Sequence, residues 1–124
     1  MNRVDYSHMT ALVVEKDSSQ REAVRLVLDE FGITTRFSAC PAEMVAAVRT
    51  AKIDLLLVEL GPGGDDGHMV IEALREAGYD GPVVAIASDL AGSTFYMDVM
   101  ERFDACVAKP LNASAMIRTL RQIL

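Results

Sequence analysis

Short uninterrupted apolar runs alternate along this chain with longer amphipathic stretches, which predicts an α/β fold. Ala11-Leu12-Val13-Val14 is the first run, in the pattern of a strand buried on both faces. Ser18 then reads as the cap of a helix whose stripe is Val24, Val27, Leu28 and Phe31, with Gly32 as its stop signal. Ile33 to Phe37 is a second strand, and Pro41 opens a helix carrying Met44, Val45 and Val48. Ile53 to Val58 gives the strongest strand signal, with Asp54 at its start. A glycine-rich loop, Gly61 to Gly67, leads to a helix from about His68 to Ala77 that ends at Gly78. Pro82 opens a fourth strand, Val83 to Ile86. Ser93 to Phe103 reads as a fourth helix and Ala105 to Ala108 as a fifth strand. Lys109-Pro110 breaks that strand, and Asn112 caps a fifth helix through Leu124. Five strand–helix units predict a parallel, doubly wound sheet with helices on both faces. In such sheets the loops after the strands' carboxyl ends form the functional crevice.

Composition narrows the class without changing that picture. The 124 residues are 51% hydrophobic and 24% charged, enough for one packed domain and unlike a disordered chain. A net charge of −6 argues against a nucleic-acid surface. No apolar run reaches the ~20 residues of a membrane span. Cys40 and Cys106 are too few for a disulfide scaffold and fit a reduced cytoplasmic protein. Residues 1–9 lack an apolar period, and Ser7-His8-Met9 looks like a cloning scar. They are set aside as a tag or disordered N-terminus, leaving 10–124 as the domain. His68 is then the one remaining histidine, which excludes metal sites built on several histidines.

The crevice loops carry a resemblance. Leu12-Val13-Val14-Glu15-Lys16-Asp17 resembles the apolar strand and acidic pair of response-regulator receiver domains. Leu56-Leu57-Val58-Glu59-Leu60 resembles their phosphoacceptor strand, and Gly67 falls eight residues after Glu59, as the family's loop glycine does. Val107-Ala108-Lys109-Pro110-Leu111 resembles their lysine-proline signature. The resemblance runs from Ala11 to Leu124. It implies a flavodoxin-like fold of five strand–helix units, strand order 2-1-3-4-5, in two-component signalling, with kinases, output domains or other signalling proteins as partners. By the same resemblance a partner surface is expected on the fourth helix, fifth strand and fifth helix, with a homodimer as one form.

The departures from the family pattern are specific. Glu59 stands at the phosphoacceptor position. The acidic pair is Glu15-Lys16, so a cation replaces a magnesium ligand. The switch hydroxyl position falls on Ala87, with Ser88 one residue late, and the switch aromatic is Cys106. Lys109 and Pro110 remain. The resemblance implies three carboxylates and one lysine, which tolerate one another because a hard divalent ion binds them. Here Glu15, Glu59, Lys16 and Lys109 sum to zero. The expectation is therefore no magnesium site and no cofactor, with Asp17 able to contribute a ligand only if the loop shifts. Glu59 is one methylene longer than aspartate, a displacement of roughly 1 Å that can cost about a hundredfold in rate. A standing Glu59–Lys109 ion pair is expected, with Lys16 competing for Glu59 or Glu15. The plainer alternative for Glu59 is a solvated carboxylate at a strand end.

The reading is a phosphorylation-independent, non-enzymatic interaction module. The alternative is a regulated receiver using Asp17, Ser88 or another acceptor in a rearranged crevice. An unrelated small α/β enzyme ranks last, because no nucleophile–base pair is present. A nucleotide-binding reading of Gly61 to Gly67 fails, since the last glycine of G-x-G-x-x-G would fall on Asp66. Cys106 near Lys109 could sense redox state, although most such cysteines are inert fillers. Phe95 or Met97 would suit a partner surface if exposed.

Overall fold

Side-chain alternation along each strand decides which helix covers which side of the sheet. The computed structural model describes residues 5–38, 40–60, 67–87 and 101–124. Its strands are β1 (Thr10–Val14), β2 (Thr34–Ser38), β3 (Leu55–Glu59), β4 (Val83–Ala87) and β5 (Ala105–Ala108). All neighbours are parallel, in the order β2-β1-β3-β4-β5. The helices are α1 (Ser18–Glu30), α2 (Pro41–Thr50), α3 (Gly67–Glu76) and α4 (Ala113–Ile123). Val13, Leu57 and Ile86 face one side, where they pack with Val24 and Leu28 of α1 and with Met116 and Leu120 of α4. Leu12, Leu56 and Ala85 face the other, with Met44 of α2 and Leu74 of α3. Strand order reverses between β1 and β3, so the loops leaving their carboxyl ends diverge and open a crevice there. Among the described residues no helix is long and apolar enough to cross a membrane.

Several element ends differ from the hydrophobic pattern, each for a hydrogen-bonding reason. Asp17, not Ser18, caps α1: its Oδ1 accepts the amides of Ser19 at 2.9 Å and Gln20 at 3.0 Å, and Ser18 joins the first turn. Strand β2 starts at Thr34 rather than Ile33, because the Ile33 amide closes α1 on the Leu28 carbonyl at 3.0 Å. Gly32 takes φ +76° there, a conformation side chains disfavour, and so serves as the stop. Strand β3 starts at Leu55 because Asp54 ties into the start of β1. Its Oδ2 accepts the Thr10 amide at 2.9 Å and its own amide donates to the Thr10 carbonyl at 2.8 Å. Asn112 caps α4 by accepting the Ala115 amide at 3.0 Å, as expected.

Residues 1–9 are set outside the fold by their sequence, yet Tyr6 and Met9 pack on it. Tyr6 meets Phe31 edge-on at 5.9 Å, and the Thr34 amide donates to the Met9 carbonyl at 3.1 Å. Tyr6 and Met9 are too isolated for a period but large enough to cover the α1 and β2 end of the core. The loop Gly61 to Asp66 and most of the helix expected over 93–103 lie outside the described residues; Glu101 and Arg102 are helical, and Phe103, expected as the last helical residue, is a buried bend after them.

Candidate functional site

Three strands bring the crevice residues together. Val14 and Val58 are register partners in β1 and β3, so the next residues, Glu15 and Glu59, emerge side by side at the carboxyl edge. Strand β5 delivers Lys109 to the same edge, where the Lys109 amide donates to the Ala87 carbonyl at 2.9 Å. The Lys109 Nζ then lies 2.8 Å from Glu15 Oε1 and 2.8 Å from Glu59 Oε2. It donates an aligned hydrogen bond to Glu59. Its approach to Glu15 misses hydrogen-bond alignment, so Glu15 Oε1 gains Coulombic attraction but no aligned donor. Glu15 is fully buried, whereas the Glu59 and Lys109 side chains keep 24% and 20% of their exposure. A buried carboxylate needs such a counter-charge. The other Glu15 oxygen, Oε2, accepts the amides of Lys16 at 2.9 Å and Asp17 at 3.3 Å.

The expected ion pair is thus a three-residue clasp, and Lys16 does not compete in it. The Lys16 side chain is exposed, and among the described residues it pairs with no carboxylate. The Glu15 oxygens are already taken by Lys109 and by two amides, one of them from Lys16 itself. The residues in direct contact therefore sum to −1 rather than to zero.

Asp17 is committed elsewhere. The Ser19 hydroxyl and the Gln20 and Ser19 amides hold its exposed carboxyl below the usual aspartate range, which is the state an α1 cap requires. This donor set does not suit the magnesium that the resemblance implies. Glu15 Oε1 and Glu59 Oε2 both meet the same ammonium, and the position where the resemblance implies a third ligand is Lys16. Among the described residues no group of three or more His, Cys, Asp or Glu is placed to hold a metal ion.

Ala87 ends β4 buried at 1% exposure and offers no hydroxyl. Ser88 lies outside the described residues, as do Phe95 and Met97 and the side chain of His68. Cys106 is half-buried and packs against the α2–α3 side of the sheet. Burial pushes its thiol above the ordinary range, the opposite of the lowered value a redox sensor near Lys109 would need. The Lys109–Pro110 peptide is cis. Two supports have no signature in the apolar pattern. Gln20 Oε1 accepts the Leu111 amide at 3.2 Å and ties the loop after Pro110 to α1. The Arg21 Nε donates to the Glu15 carbonyl, and its guanidinium sits 5.3 Å from the centre of the Phe37 ring. Both lie on the first turn of α1, on the side facing the crevice loops, so helical spacing from the cap at Asp17 is the signal that could have found them.

Residues 11–121 match the sequence profile of the response regulator receiver domain. No curated protein is matched. Among solved structures, a response regulator from Thermotoga maritima superposes with a TM-score of 0.82 at 20% identity, covering 93% of this chain and 96% of that one. A response regulator receiver domain from Methylobacillus flagellatus gives 0.75 at 21% identity, covering 94% and 98%. A response regulator receiver protein from Burkholderia phymatum gives 0.72 at 23% identity, covering 93% and 94%. At these identities the superpositions speak for the fold, the flavodoxin-like arrangement built above. With the profile spanning nearly the whole length, the chain belongs to the response regulator receiver domain family.

Proposed function

We propose that this receiver domain works as a phosphorylation-independent protein-interaction module in two-component signalling, not as an enzyme. The observation that carries the reading is the position of Lys109, whose ammonium lies 2.8 Å from both Glu15 and Glu59. Glu59 stands where the family accepts phosphate, one methylene longer and already paired. Phosphoryl transfer needs a cation on the transferring oxygens and a nucleophile in line with the leaving group. The Glu15–Lys16 pair supplies one carboxylate where that chemistry uses two. A carboxylate held near Lys109 imitates a phosphoryl group only in part, since it carries one charge against nearly two.

The switch positions support the same reading. Ala87 has no hydroxyl to follow a change at Glu59, and Cys106 has no ring to move. A ligand shifts an equilibrium only through its differential affinity for two states. With these residues the module presents one surface to its protein partner, a kinase, an output domain or another signalling protein.

Incubation with a small phosphodonor and magnesium, followed by intact-mass measurement, tests this. The expected result is no adduct. A stable gain of about 80 Da, the mass of one phosphoryl group, that disappears in Glu59→Gln overturns the proposal.

A further inference from the structure

We propose that the face formed by α1 and α4 is a self-association surface, taken by a second copy of this chain. Both helices start at the carboxyl edge of the parallel sheet and run back along it, so they lie side by side and parallel. Between them runs an apolar groove of about 360 Å³, lined by Ala23, Leu26 and Val27 of α1 and by Ala113, Met116 and Ile117 of α4. Leu26 is 54% exposed there and, with Met69, is one of two large hydrophobic side chains left so open among the described residues. An exposed leucine beside an apolar groove has the makings of a contact face.

Charge identifies the occupant. The chain carries −6, so two copies repel one another unless they meet on a balanced face. Helices α1 and α4 together hold four arginines against three acids. Arg25 is engaged within α1 by Glu22 and Asp29. Glu30 and Arg121 are exposed and make no ion pair or hydrogen bond among the described residues. Both line the cleft at the carboxyl ends of the two helices. The acid is on one helix and the base on the other, as a self-complementary interface requires. A two-fold axis parallel to the helices sets α1 of each copy on α4 of the other, with those ends matched. Glu30 then faces Arg121 of the other copy, twice, and Leu26 meets its Ile117. Two helix faces about 20 Å long bury roughly 800 Å² in all, less than the ~1,200 Å² of stable complexes, so the dimer is weak, with a Kd on the order of 0.1 mM.

Sedimentation equilibrium at low salt, from about 10 µM to about 1 mM protein, tests the surface. The parent is expected to dimerise with rising concentration. Glu30→Arg and Arg121→Glu, each at an exposed position, are each expected to weaken the dimer at least about tenfold, because each sets like charges against one another at both contacts. An equimolar mixture of the two variants is expected to dimerise as well as the parent, since every arginine then faces a glutamate of the other chain. Repulsion within one chain could not produce that recovery. Leu26→Glu is expected to abolish the dimer with its circular dichroism spectrum unchanged. A parent that stays monomeric to about 1 mM overturns the inference, and leaves the groove to a different protein. So does a dimer indifferent to these substitutions, or a mixture that associates no better than its components. None of Glu15, Glu59 and Lys109 lines the groove, so this inference and the phosphodonor test fail independently.

Discussion

Lys109→Met is expected to lower the stability of the domain by about 3 kcal/mol, although methionine fills nearly the same space. The loss comes from Glu15. Its side chain has no exposure, and Lys109 is the only counter-charge it touches among the described residues. Removing one member of a buried pair leaves the other charged and unsolvated, which costs about 3–5 kcal/mol. The lower end applies because Lys109 and Glu59 keep about a fifth to a quarter of their exposure and water screens part of the interaction. Glu59→Gln should cost less than about 1 kcal/mol, because the ammonium keeps Glu15 and reaches solvent. Lys109→Met combined with Glu15→Met should recover most of the loss, since apolar replacement of a whole buried pair is often neutral. Denaturant unfolding with an unchanged slope reads all three variants. Equal costs for Lys109→Met and Glu59→Gln would mean that Glu15 is not the residue that needs the ammonium.

Leu57→Ala is the other large effect, expected at about 3–4 kcal/mol. Leu57 lies in the central strand, fully buried, with Val13 and Val84 as register partners on either side. A cavity there is walled by two strands and two helices, which limits collapse and keeps the cost high. Leu26 on α1 makes the contrast, because it is 54% exposed. Leu26→Ala should change stability by no more than about 0.5 kcal/mol. A shared midpoint in urea for the two variants would contradict the two-sided core.

The apolar runs make the strand–helix order legible because a strand buried on both faces leaves no polar position to misread. Val83 to Ala87 is such a case, with every residue buried. Ends were less legible, since hydrogen bonds set them. Asp17 outcompetes Ser18 as a cap by accepting two amides, and Ile33 is drawn into the closure of α1. The crevice residues were readable from their place after each strand, including the Glu59–Lys109 contact. The role of Lys16 was not. Formal charge counts it with the others, but side-chain direction takes its ammonium into solvent and leaves its amide on Glu15. The depth of Glu15 was equally hidden, because a carboxylate after an apolar run reads the same at 0% exposure as at the surface. Packing of Tyr6 on Phe31 escaped for lack of any period in so short a segment.

A crystal structure of the protein grown from millimolar manganese, with anomalous data collected at the manganese edge, tests the lysine clasp most directly. The clasp predicts the Lys109 ammonium within about 3 Å of both Glu15 and Glu59, at charge-assisted hydrogen-bond distance, and no anomalous peak between them. A manganese peak at about 2.1–2.2 Å from Glu59 and Glu15 oxygens, with Lys109 displaced, would contradict it.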